Sequence, residues 1–85
     1  MSQVSCRRSA LRVGNEAGKF AGILRRGQTP RMTRDYARHL ANYAAGDHSV
    51  PEHWRPLFVR AFVKAALHAA HTDRGVSASS KYGVA

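Results

Sequence analysis

The stretch PLFVRAFVKAALHAAH, Pro56 to His71, limits the fold more than any other part of the chain, because as a helix it is apolar around most of its circumference. Leu57, Phe58, Val59, Phe62, Val63 and Leu67 spread over that surface. The polar residues Arg60, Lys64, His68 and His71 come at spacings of four, four and three and so share one stripe. A helix of this kind belongs inside and must be covered by the rest of the chain. The cover has to come from a single small domain, since a chain of 85 residues holds one core that only narrowly outweighs conformational entropy.

Upstream, two further helices are expected. Ser9 is a suitable N-cap for a helix from Ser9 to Arg26, in which Val13, Ala17, Phe20, Ala21 and Leu24 fall on one face. Gly14, Gly18 and Gly22 recur at intervals of four in the same segment. In a helix interior each costs about 1 kcal/mol relative to alanine. The series therefore predicts either a smooth ridge for a closely packed neighbour or an irregular helix near Gly14, and we take the ridge. Thr29 and Pro30 form a start signal for a second helix running to about Ala45, with Met32, Tyr36, Leu40 and Tyr43 as its buried stripe and Gly46 as its stop.

Between the second helix and the apolar one, Ser49 and Glu52 have the spacing of a capping box. Pro56 either kinks one helix or separates a single turn, Pro51 to Arg55, from the main helix. Thr72 to Gly75 reads as the helix stop. The expected fold is all-α, a small three-helix domain with a short extra helical turn and flexible termini. Residues 1–8 form a flexible basic arm, 9–75 the helical domain and 76–85 a flexible tail.

Charge narrows the choice of partner. The net charge is +9, and residues 1–38 carry nine cations against Glu16 and Asp35, or +7 of that total. Arginine dominates, and its planar fork suits bidentate contact with phosphate. Arg31 and Arg34 near the start of the second helix oppose the helix dipole, so local stability does not account for them, whereas a bound phosphate would.

The order helix, glycine-containing turn, helix over residues 15–45 is similar to a helix-turn-helix. In that arrangement Arg31, Arg34 and Arg38 contact phosphate or guanine, Asn42 reaches adenine or phosphate, and Arg25, Arg26 and Gln28 position the backbone. Arg60, Lys64, His68 and His71 form a secondary basic surface. The function expected is non-catalytic nucleic-acid binding, with DNA favoured because a helix presents the charge. The alternative is a small protein interaction module, an adaptor, assembly factor or inhibitor, docking its basic face on an acidic or nucleic-acid-handling protein.

Other chemistries have little support. Gly14 to Lys19 resembles a phosphate loop only superficially: its spacing is one residue short, and Phe20 stands where a metal-binding hydroxyl is required. The five histidines lack a full ligand set of suitable spacing and lie near cations, so no metal and no cofactor are expected. No nucleophile has a base and an orienting group placed beside it, although Arg7 and Arg8 would depress the thiol of Cys6. One cysteine excludes an intrachain disulfide, and no apolar run approaches the roughly 18 residues of a membrane span. A cytoplasmic protein with no membrane role is expected. The glycine ridge and the apolar excess of Pro56 to His71 both allow a homodimer.

Overall fold

A computed structural model of the chain describes residues 4–27 and 31–83, with side chains as far as His71. The fold is all-α. Helix α1 spans Arg7–Arg25, α2 spans Arg34–Asp47, a single 3-10 turn covers Glu52–Trp54, and α3 runs Arg55–Gly83. The other elements are organised around α3, as its apolar circumference requires: α1 and α2 each pack on it and touch one another little.

Helix α1 runs parallel to α3. Gly14, Gly18 and Gly22 lie over the backbone at Phe58, Phe62 and Ala66, so two four-residue rows advance together. A Cβ at Gly14 would stand 2.6 Å from the Phe58 carbonyl oxygen, closer than any side chain tolerates. The glycines are thus the packing ridge, and α1 is continuous through them. Close backbone approach of this kind also permits weak Cα–H···O=C contacts along the interface.

Helix α2 runs antiparallel to α3. His48 lies against Phe58 with ring centroids 5.9 Å apart, and at the other end the Met32 carbonyl is 3.1 Å from His71 Nε2. The inner face of α2 is Ala37, Ala41 and Ala45, all fully buried. Phe58, Phe62, Val13, Met32, Val50 and Val4 supply the larger core side chains.

Several expectations need correction. The stripes expected to be buried, Phe20 and Leu24 on α1 and Tyr36 and Tyr43 on α2, are exposed, and Leu40 is half-buried. The reason is geometric: glycine and alanine let helix axes approach most closely, so the small-residue rows turn inward and the large residues, far round the helix, turn aside.

Helix α1 begins at Arg7 with Cys6 as N-cap, so Ser9 occupies the third helical position. From there its hydroxyl reaches back, accepting from the Ser5 and Cys6 N–H groups and donating to the Cys6 carbonyl. Of the expected arm, residues 1–3 lie outside the described residues and Val4 is buried in the core.

Helix α2 is capped by Thr33, whose hydroxyl accepts from the Tyr36 N–H at 3.1 Å, four residues later than expected. Thr29 and Pro30 lie outside the described residues. Gly46 does not end α2. The helix closes on a Schellman motif, with Val50 N–H donating to the Ala45 carbonyl at 2.9 Å and Ser49 N–H to the Gly46 carbonyl at 3.0 Å. Ser49 takes the left-handed conformation there, φ 53°, which removes it from the expected capping box with Glu52. Pro56 sits in the first turn of α3, where its missing N–H costs no ladder bond, and the preceding 3-10 turn is the separate turn expected. Helix α3 continues through Thr72–Gly75 to Gly83.

Candidate nucleic-acid interface

The three-residue offset between the alanines of α2 and the residues Arg34, Arg38 and Asn42 puts the latter on the stripe beside the buried one. On α3, Val59, Val63 and Leu67 repeat every four residues and are half-buried, with Arg60 and Lys64 one position further round and exposed. The two stripes face each other across an open groove of about 890 Å³. Its floor is apolar and its walls are cationic, α2 giving Arg34 and Arg38 and α3 giving Arg55, Arg60 and Lys64. Among the described residues, Glu52 is the single carboxylate lining it.

Among the described residues, the side chains in this groove are largely uncommitted to strong pairs. Arg38 lies 3.9 Å from Asp35 in an exposed contact, a geometry that contributes little stability. Asn42 donates from Nδ2 to the Arg38 carbonyl at 3.0 Å, which pins its amide to the helix. Among the described residues, Arg55 Nε is buried without a hydrogen-bond partner.

On the far side of the Arg60 and Lys64 ridge lies a second groove, between α3 and α1, where Arg12, Asn15 and His68 join them. Arg60 and Lys64 line both grooves, so a basic band crosses all three helices from Arg34 and Arg38 through Arg60 and Lys64 to Arg12. The secondary basic surface expected on α3 is thereby continuous with the arginine face of α2.

The remaining expected residues separate from this band. Arg25 stacks over the Tyr36 ring at 4.7 Å and donates to its hydroxyl at 3.4 Å. Arg26 Nε donates to the Ala69 carbonyl at 2.8 Å and so ties the end of α1 to α3. Arg31 is exposed ahead of α2 and does not line the groove, Gln28 lies outside the described residues, and His71 contacts the Met32 carbonyl.

The helix-turn-helix arrangement is not formed: that motif needs its two helices packed on each other, and α1 and α2 are instead joined through α3. Sequence reasoning missed Arg12 and Arg55. Arg55 carries a legible signal, its position one residue before the helix-opening Pro56.

Among the described residues no three of His, Cys, Asp or Glu come together as a metal site. His53 lies edge-on to Trp54 with centroids 4.5 Å apart. The Cys6 thiol is held below its ordinary value, first by the Ser9 hydroxyl 3.5 Å away and then by backbone hydrogen bonding to Ser9, with Arg8 a minor contributor. The expected direction holds, but its main cause is the helix cap rather than the paired arginines. No helix among the described residues is long and apolar enough to cross a membrane. No protein-family model, curated protein or solved structure matches this chain.

Proposed function

We propose that this protein binds nucleic acid, DNA in preference, without catalysis, through the basic band centred on the α2–α3 groove. The observation that carries the reading is the meeting of two cationic stripes from distant parts of the sequence, Arg34 and Arg38 with Arg60 and Lys64, in one groove with a single carboxylate among its described residues. Like charges gathered this way repel each other and gain nothing for the fold, whereas a polyanion neutralises them together. Arginine forks bind phosphate oxygens bidentately, and each phosphate neutralised releases condensed counterions. The band contacts the backbone, which orients a duplex without reading its sequence. Asn42, at the groove wall, would contact a base edge only by giving up its bond to the Arg38 carbonyl.

A mobility-shift assay on duplex DNA over a salt series tests this reading. If about four cations contact phosphates, affinity falls about 100-fold between 50 and 200 mM salt. The double substitutions Arg34→Glu with Arg38→Glu, and Arg60→Glu with Lys64→Glu, should each abolish binding while the helical circular-dichroism signal persists. Pull-down from nuclease-treated lysate separates this from the alternative, docking on an acidic protein. A stoichiometric protein partner surviving nuclease and moderate salt would favour the alternative.

A further inference from the structure

Opposite the basic band, α1 and α2 leave an apolar furrow uncovered. Phe20, 63% exposed, and Tyr43, 69% exposed, line it with half-buried Leu40, and Phe62 is at the floor; Leu24, 60% exposed, follows Phe20 one turn further along α1. An aromatic side chain presents roughly 150–250 Å². These residues with Tyr36 therefore offer roughly 400 Å² of mainly apolar surface, about half of the roughly 800 Å² each partner commits to a standard interface. Glu16 and Asp47 line this furrow, so a phosphate backbone is repelled from it.

The ends of the furrow carry opposite charge. Helices α1 and α2 are antiparallel: Gly14 and His48 both lie at Phe58, and Arg25 meets Tyr36 at the other end. Glu16 and Asp47 therefore mark one end and Arg25 the other. A two-fold axis perpendicular to the helices, through the middle of the furrow, brings the acidic end of one copy onto the arginine end of its partner. The same rotation lays the two apolar surfaces together. The face is self-complementary in sign, as an isologous contact requires.

We infer that the α1–α2 face docks a second copy of this chain, forming an antiparallel two-fold dimer with Phe20 and Tyr43 at its centre. The contact is independent of nucleic-acid binding and leaves the basic band of each protomer facing away from the axis.

Sedimentation equilibrium of the nuclease-treated full chain over a concentration series tests it. The expected mass is twice the 9.3 kDa of the chain. Phe20→Glu, at an exposed position, should weaken dimerisation by at least about tenfold without loss of helicity. Asp47→Arg and Arg25→Glu should each weaken it, and the double variant should recover part of the loss, because the swapped charges meet again across the axis while Glu16 stays unchanged. A chain that stays monomeric throughout overturns the inference and assigns the face to a partner of different sequence. A dimer indifferent to Phe20→Glu, or a double swap no better than the worse single variant, also overturns it.

Discussion

Replacing Gly18 with alanine is expected to destabilise the protein, although alanine is the better helix former. A Cβ at that position would lie 2.8 Å from Phe62 Cα and 2.9 Å from its carbonyl carbon. Both are backbone atoms that no rotamer change moves aside, so α1 must shift away from α3 along its length. Overpacking costs about 1–3 kcal/mol, and rigid neighbours favour the upper part of that range. The propensity gain offsets about 1 kcal/mol. The net loss is therefore about 1–2 kcal/mol, a fall in melting temperature of roughly 5–15 °C for a domain of this size.

Gly46 supplies the control, since a Cβ there meets nothing within 4 Å and Gly46→Ala should gain about 0.5 kcal/mol. Thermal and urea melts followed by circular dichroism measure both. A stabilised Gly18→Ala protein, matching Gly46→Ala, would refute the backbone-contact interface.

The cap geometries yield two further expectations. Ser49 holds the left-handed position of the α2 Schellman motif at φ 53°, a conformation that costs a side-chain-bearing residue roughly 1 kcal/mol. Ser49→Gly should raise the urea midpoint accordingly, and an unchanged midpoint would count against that strain. At the other terminus the Cys6 thiol, lowered mainly by Ser9, should alkylate with a pH midpoint below that of the unfolded chain. The sign comes from linkage: a depressed folded-state value favours the thiolate fold above the unfolded pKa, and that preference is lost as pH falls through the folded value. Ser9→Ala should move the alkylation midpoint upward, and a profile identical to wild type would exclude the hydroxyl as the cause.

The central role of α3 was legible because a helix apolar on most sides has few ways to be buried, and Pro56 marked its opening turn. The glycine spacing likewise predicted the close contact that α1 makes. What misled was the assumption that large apolar residues mark the inner face. In this chain the inner faces of α1 and α2 are small-residue rows, and Phe20, Leu24 and Tyr43 are left at the surface. Boundary signals failed where a residue of the usual type stood near the place required but not at it. Thr33 caps α2 although Thr29 precedes a proline, and Ser49, rather than Gly46, takes the left-handed conformation that closes the helix.

The basic groove was half legible. Each stripe could be read from four-residue spacing, but their meeting depends on the antiparallel packing of α2 on α3, which no local pattern encodes. Arg26 shows the converse, a cation counted with the binding face whose guanidinium instead fastens α1 to the Ala69 carbonyl.

The reading of the α2–α3 groove as a phosphate-binding surface is tested most directly by the salt dependence of duplex DNA binding in three proteins compared side by side. Wild type should bind with a log–log slope of roughly −3 to −4, about four phosphate contacts. Arg34→Glu combined with Lys64→Glu, one residue from each wall of the groove, should remove binding at 50 mM salt. Arg31→Glu, outside the groove, should stay within about threefold of wild type if position rather than net charge governs the contact. Absence of wild-type binding at low salt, a flat slope, or an Arg31→Glu loss as large as that of the groove pair would contradict it.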